Sequence, residues 1–265
     1  MSVPIAVTIA GSDPSGGAGI QADLKTFSAL GVYGASIITA LTAQNTKGVF
    51  GIHAVPADFI AAQIDAVFGD LAVGAVKIGM LGGLPAIAAV AAGLDRHHAR
   101  NVVLDPVMVA SSGDELLQPD AVAGLRKLIA RADVLTPNLP EAAALLDVSA
   151  ARDEQEMCAQ AERLLAFGAG AVLIKGGHGG GPESVDLLVG SGTCERLTAP
   201  RIKTENTHGT GCTLSAAIAA GLAKGQKLAD AVREAKAYVS AAIAAADRLA
   251  VGAGRGPVHH FHAWW

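Results

Sequence analysis

Aromatic residues are scarce in this 265-residue chain, which has two Trp, two Tyr and six Phe. Its core must therefore be aliphatic and built on closely packed, alanine-rich helices. Cysteine is scarce as well. Cys158, Cys194 and Cys212 are odd in number, far apart in sequence and form no CxxC pair. That argues against a disulfide framework or a zinc site and suits a reducing compartment, so a cytoplasmic protein is expected. Long apolar runs are missing too. Leu84–Leu94 is too short to span a bilayer, and Met1–Ala10, with no basic residue ahead of its apolar run, reads as strand rather than signal peptide. Basic charge is not in excess: 20 Lys and Arg against 24 Asp and Glu give a formal net charge of −4. Nothing suggests a nucleic acid or an acidic membrane as partner. Neither a G-x-x-x-x-G-K-[ST] loop nor a dinucleotide fingerprint occurs, which removes the P-loop NTPases and weakens an oxidoreductase reading.

What the chain does have is an alternation of strand-like and helix-like segments, with no linker between them. Strands are expected at Ile5–Ala10, Ser36–Thr42, Ala75–Ile78, Asn101–Leu104, Val134–Thr136 and Ala171–Lys175, and a hairpin at Val185–Val189 with Glu195–Thr198. Helices are expected at Ile20–Leu30, Ala57–Phe68, Pro85–Leu94, Asp120–Ala130, Glu141–Leu146, Glu154–Phe167, Thr213–Lys224 and Leu228–Leu249. In the second of these, Phe59, Ile60, Ile64, Val67 and Phe68 should face inward. Parallel strands need crossovers, so the alternation predicts an α/β fold with a mainly parallel central sheet and helices on both faces. One domain spanning 1–265 is expected from the length. In such sheets ligands bind outside the carboxyl ends of the strands. The polar and glycine-rich stretches sit there: Gly11–Gly19, Gln44–Asn45, Gly79–Gly83, Asp105–Gly113, Thr136–Glu141, Lys175–Gly181 and His208–Cys212.

The sharpest local signal is Thr207-His-Gly-Thr-Gly-Cys-Thr213, followed directly by a helix. Its glycines let backbone N–H groups converge, and the helix N-terminus adds unpaired donors and a positive dipole end. Gly209, Thr210, Gly211 and Cys212 thereby become an anion hole suited to a transferring phosphoryl group. The plainer alternative is a glycine turn capped by Thr210 or Thr213. In Gly11–Gly19, Asp13 or the following Asp23 could bond a hydroxyl. Asn138 and Glu141 could organise Mg²⁺ through water, or simply form a helix capping box. Asp105 is a second carboxylate for the metal region, and Lys175, at a strand end, can reach phosphate oxygens as a point charge. His259, His260 and His262 suggest a metal site only weakly, since no fourth ligand of matching spacing is evident.

Long stretches carry a resemblance that runs nearly end to end: TIAGSDPSGGAGIQADLKTFSALG from Thr8, ITALTAQNT from Ile38, KIGMLG from Lys77 and VVLDPVM from Val102. TPNLPEAAALL from Thr136, LIKGGH from Leu173, NTHGTGCTLSAAIAA from Asn206 and GPVHHFHAWW from Gly256 complete it. The chain resembles the ribokinase-like superfamily and, within it, the hydroxymethylpyrimidine/phosphomethylpyrimidine kinases of thiamine biosynthesis. The resemblance implies a three-layer α/β/α sandwich and two ATP- and Mg²⁺-dependent phosphorylations of a small pyrimidine in one site. It implies that Gln44 reads the pyrimidine, with Gly11, Asp23, Met80 and Val107 around the substrate. It puts Cys212 at the catalytic position beside Gly209 and Gly211. Lys175, Asn138 and Thr210 would serve the nucleotide, and Glu141 and Asp105 the metal. It further implies a homodimer, and makes the histidine-rich end an ordinary tail. Many relatives carry lysine where this chain has Ser111, which leaves a phosphate contact from that loop open. Pyridoxal or pyridoxine kinase is the alternative enzyme, because that substrate is also a flat heteroaromatic ring with a hydroxymethyl group. A non-catalytic nucleotide-binding protein on the same fold is the alternative outside catalysis.

Overall fold

The computed structural model describes residues 3–109, 116, 121–177, 181–190 and 192–265; Ser111 and the expected helix start at Asp120 lie outside them. The described elements follow in chain order as β1 (Ile5–Ala10), α1 (Gly19–Ala29), β2 (Tyr33–Ile38), β3 (Ala40–Asn45), β4 (Gly48–Ala54) and α2 (Ala57–Asp70). Then come β5 (Ala75–Ile78), α3 (Leu84–Arg96), β6 (Val102–Leu104), α4 (Val122–Ile129), β7 (Val134–Leu135), α5 (Leu139–Leu146) and α6 (Glu154–Leu165). The chain ends with β8 (Ala171–Lys175), β9 (Glu183–Gly190), β10 (Thr193–Pro200), α7 (Thr210–Ala223), α8 (Leu228–Ala244) and a 3₁₀ turn at Ala246–Arg248.

Eight strands form one sheet in the order β10-β9-β8-β7-β6-β5-β1-β2. It is parallel from β2 to β8 and antiparallel across β8, β9 and β10. The strands are apolar on both faces, as parallel strands covered twice must be. Val76 and Ile78 of β5 point into one core with α2, α3, α4, α5 and α6, whereas Ala75 points into the other with α1, α7 and α8. Val102 and Leu104 alternate with Val103 in the same way. The expected three layers and mainly parallel sheet are therefore present. The scarcity of aromatics shows in how they pack: a Cβ on Gly221 of α7 would come 2.8 Å from the Ala231 Cβ of α8. Small residues let these two helices approach closely.

Two expectations are corrected. The segment Ser36–Thr42 is not one strand. Thr39 breaks it by donating its N–H to Ala10 O (3.1 Å) and its hydroxyl to Met80 O (2.7 Å). Beyond that break the chain leaves the main sheet, and β3 pairs with β4 as a separate two-stranded hairpin. Nor does Phe59 face inward. Ile60 and Ile64 carry the buried stripe of α2, while Phe59 is 61% exposed. Among the described residues no helix is long and apolar enough to cross a membrane.

Candidate active site

A cleft of about 1070 Å³ opens at the carboxyl ends of the parallel strands, roofed on one side by the hairpin. Gly11, Gln44, Met80, Asp105, Val107, Asn138, Glu141, Lys175 and the run Gly209, Thr210, Gly211 and Cys212 all line it. At its centre is the start of α7. Gly209, the N-cap, has φ +79°, a left-handed conformation that favours glycine. A Cβ there would collide with Gly17 O, so the chain has room only for glycine. Neither Thr210 nor Thr213 caps the helix, so the plain capped turn is not what forms. The Thr210 hydroxyl donates to Thr207 O (2.7 Å), and the Thr213 hydroxyl shares a 3.1 Å hydrogen bond with His260 Nε2. The α7 N-terminus is thus left facing the cleft, where an anion is favoured.

The glycine loop and this helix start are tied together. Asp13 accepts hydrogen bonds from the N–H groups of Ser15 (2.9 Å), Gly17 (3.2 Å) and Ala18 (2.8 Å) and pairs with His208 Nε2 at 2.8 Å. Burial would raise its pKa, but the bonds from His208 and Ser15 hold the carboxylate at about 2. Its acceptor sites are committed to the two loops, which corrects its reading as a hydroxyl binder.

Asp23 is corrected more firmly. It lies on α1, fully buried beneath the cleft, with Lys77 Nζ 2.8 Å away and the Thr8 hydroxyl donating at 2.6 Å. It is Lys77 that lines the cleft above it. Burial would lower the Lys77 pKa, but the carboxylates of Asp23 first and Asp105 after it outweigh burial and keep the ammonium charged. Cys212, beside Lys77, lies at the start of α7. A helix N-terminus lowers a thiol pKa, yet burial, with Asp23 and Asp105 behind it, outweighs Lys77 and pushes this thiol up to about 11. Cys212 is a thiol at neutral pH, not a thiolate.

Gln44 sits at a register irregularity between Ala43 and Gln44 in the hairpin. Such a bulge re-aims a side chain. The Thr42 hydroxyl donates to Ser12 O at 2.8 Å and lies 3.2 Å from Gln44 Oε1, which orients the amide toward the cleft.

At the far end, Lys175 Nζ stands between two carboxylates: Asp105 at 2.8 Å and Glu141 at 3.9 Å. Asp105 also accepts from the hydroxyls of Thr136 (3.3 Å) and Ser215 (3.2 Å). Its oxygens are held by Lys175, by Thr136 after β7 and by Ser215 of α7. Asn138 and Glu141 do form the capping box, each side chain accepting the other's backbone N–H at 2.8 Å. The box leaves Glu141 buried beside Asp105, and burial first, then Asp105, overcomes Lys175 and raises its pKa to about 7. A carboxyl that retains a proton near neutrality marks a place short of positive charge. Mg²⁺ fits that demand, and it binds through one or two carboxylates with waters and phosphates rather than in a protein cage. Among the described residues no group of three His, Cys, Asp or Glu side chains is arranged to hold a metal ion. That includes the C-terminal histidines; His260 is packed under α7 and, through burial, held neutral with a pKa of about 3.

Sequence reasoning missed Lys77, His208 and the pair Lys236–Asp186. Lys236 of α8 holds Asp186 at 2.7 Å, and Asp186 accepts the Gly176 N–H (3.0 Å), which fixes the start of the loop after β8. A signal existed for Lys77: it is the one charged residue in a four-residue strand buried on both faces. Such a residue requires a buried partner.

Known proteins match this sequence and this fold. The sequence matches the phosphomethylpyrimidine kinase family over residues 13–259. It is 63% identical over 262 residues to the hydroxymethylpyrimidine/phosphomethylpyrimidine kinase of Rhizobium meliloti, covering 98% of each chain. The fold superposes on an ADP complex of Bacillus subtilis pyridoxal kinase with a TM-score of 0.91 at 38% identity, covering 99% of each chain. It superposes on phosphomethylpyrimidine kinase from Clostridium difficile with a TM-score of 0.81 at 44% identity, covering 91% of this chain and 100% of that one. The chain belongs to the phosphomethylpyrimidine kinase family and is a phosphotransferase.

Proposed function

We propose that the cleft transfers the terminal phosphoryl group of ATP to the hydroxymethyl of 4-amino-5-hydroxymethyl-2-methylpyrimidine and then phosphorylates the monophosphate to the diphosphate, in thiamine biosynthesis. One observation carries the reading. A single cleft joins a hydrogen-bonding amide, Gln44, to a helix N-terminus and onward to a lysine set between carboxylates. That is the order acceptor, transferring group, nucleotide. The relatives named for this activity match nearly the whole chain.

Gln44 offers an acceptor and two donors, which suits the amine and ring nitrogen of an aminopyrimidine. Gly11, Met80 and Val107 border the ring. The start of α7 receives the transferring phosphoryl group, whose loose transition state spreads negative charge over its oxygens. Lys175 neutralises that charge on the nucleotide side, beside Asn138 and Thr210. Glu141 would hold Mg²⁺ through water, and the ion would supply further neutralisation. Lys77 holds positive charge under Cys212, where the acceptor oxygen lies. With Cys212 a thiol, it hydrogen-bonds that oxygen, and the proton leaves late, as a loose transition state allows. One domain performs both steps in the cytoplasm. The protein forms a homodimer through the hairpin, whose outward Leu41, Phe50 and Ile52 are 47%, 70% and 45% exposed.

Pyridoxal kinase is the second reading, favoured by the higher TM-score to the Bacillus subtilis enzyme, although sequence identity is higher to relatives named for the pyrimidine. A coupled ADP-release assay of hydroxymethylpyrimidine, its monophosphate and pyridoxal, side by side, decides. The proposal stands if both pyrimidines exceed pyridoxal in kcat/KM, and it fails if pyridoxal leads.

A further inference from the structure

Two of the three cysteines, distant in sequence, meet in the fold. Cys158 lies on α6 and Cys194 on β10. Other residues report how these elements are set against each other. Glu154, one helical turn before Cys158, binds Arg196, two residues beyond Cys194, through Nε–Oε2 and Nη2–Oε1 contacts of 2.8 and 3.0 Å. Four residues of helix advance about 6 Å and two residues of strand about 6.6 Å. One turn along α6 and two residues back along β10 from that ion pair therefore bring Cys158 opposite Cys194. The Cys158 thiol is accordingly near enough to Cys194 to disfavour its thiolate. Alternation along β10 agrees: Leu197 packs into the core shared with α8, so Cys194 and Arg196 look the other way, toward α6. Both thiols are free, Cys194 exposed and Cys158 half-buried.

We propose that Cys158 and Cys194 are an oxidisable dithiol that closes into a disulfide by exchange with a small disulfide such as oxidised glutathione. The Cys194 thiolate attacks one sulfur of that disulfide and expels a thiolate, leaving a mixed disulfide. Cys158, deprotonated, then attacks the Cys194 sulfur and expels the second thiolate. Two protein thiols lose two protons and two electrons, and the small disulfide is reduced to two thiols. A disulfide needs its Cα atoms within about 7 Å, so the thiol contact must tighten. β10 allows it, because it is the edge strand and bonds to β9 alone. The link lies at the far end of β9 and β10 from Ser184, Asp186 and Pro200, which line the cleft. It forms between elements already in contact, so it staples the native fold rather than switching the enzyme off. Burial first, then Cys158, with Glu162 and Glu154 behind them, disfavours the Cys194 thiolate, so closure quickens with rising pH.

The test is to incubate the intact protein with oxidised glutathione at about pH 8.5, where a free thiol is substantially ionised. The expected product is lighter by two hydrogens. It yields a peptide joining Cys158 to Cys194, and its thiol titre after denaturation falls from three to one. Its Tm rises by roughly 5–10 °C, as closing a loop of this length implies, its kcat is unchanged, and dithiothreitol reverses all of this. Cys158→Ser should stop at a glutathione adduct on Cys194. A lasting adduct in the unsubstituted protein, a Cys194 cross-link between two molecules, or a linked form that loses activity would overturn the proposal.

Discussion

Two lysines, Lys77 fully buried and Lys175 partly buried, flank the start of α7, and their surroundings differ by one charge. Lys77 has a single carboxylate at contact distance, Asp23 at 2.8 Å, and both side chains are fully buried. Lys175 has two, Asp105 and Glu141, at 2.8 and 3.9 Å. The first pair is neutral, with Asp23 shut beneath the cleft and only Lys77 bordering it. The second cluster is short of one positive charge and opens on the cleft. Glu141, with its pKa raised to about 7, meets that shortage with a proton. Charge balance thus separates a fixed electrostatic element from one built to receive a cationic or proton-displacing ligand, although both are a lysine at a strand's carboxyl end.

The comparison breaks most visibly in stability. Lys77→Met leaves Asp23 buried without its counterion, and removing one partner of a buried pair costs about 3–5 kcal/mol. Urea unfolding should show a loss of that size, and Lys77→Met combined with Asp23→Leu should recover most of it. Lys175→Met should cost less, because Glu141 already takes up a proton near neutrality and can absorb the missing charge. Equal losses for the two single variants would mean that the difference in charge balance has no energetic consequence.

In activity the order reverses. In the proposed reaction Lys175 faces the transferring charge, so Lys175→Met should lower kcat by about 10²–10³-fold, the scale of losing one oriented electrostatic donor. The loss should be the same for the pyrimidine and for its monophosphate, since Lys175 touches neither ring. A loss confined to one acceptor would move Lys175 to the acceptor side.

How much of this was legible in the sequence follows the same division. The donor cluster was readable, because Asp105, Asn138, Glu141 and Lys175 each end a strand or open a helix, and local pattern fixes those positions. Lys77–Asp23 was not, because the partners belong to different elements and their pairing depends on α1 packing over β1, the strand next to β5. Asp23 was accordingly assigned to the substrate when it belongs to Lys77. The strand of the hairpin starting at Gly48 went unread since Gly48 and Gly51 interrupt its pattern, and since the Thr39 break is made by tertiary hydrogen bonds to Ala10 and Met80. The helix start gave the position of Cys212, but its thiol pKa is set by burial, which no local pattern reports.

Gln44 lies outside both lysine clusters and sharpens the acceptor side. Gln44→Leu keeps the shape and removes the amide, so discrimination for an aminopyrimidine over pyridoxal should fall by about 1–3 kcal/mol, the worth of a bidentate pair. The kcat with saturating substrate should change far less, since no charge is lost. Unchanged kcat/KM for hydroxymethylpyrimidine would return Gln44 to a purely hairpin role with Thr42.

The smallest effect tests the donor cluster most directly, since it counts a proton. Glu141 has its pKa raised from the model-peptide value of 4.5 to about 7, by burial first and Asp105 second. With the folded value above the unfolded one, folding takes up a proton between those two pH values. This contribution therefore weakens stability as pH rises through that window and levels off above about 7. Positive charge arriving beside Glu141 reverses the shift and expels the proton. Binding of Mg²⁺ with a non-hydrolysable ATP analogue at pH 6.5 should then release up to one proton, read as the dependence of calorimetric heat on buffer ionisation enthalpy. At pH 8.5 the carboxylate is already ionised and the release should vanish. Glu141→Gln keeps an acceptor for the Asn138 N–H and should abolish the release at both pH values, while raising the Mg²⁺ required for activity. If that variant releases the same proton as the unsubstituted enzyme, the proton comes from elsewhere. Glu141 would then be only the other half of the capping box.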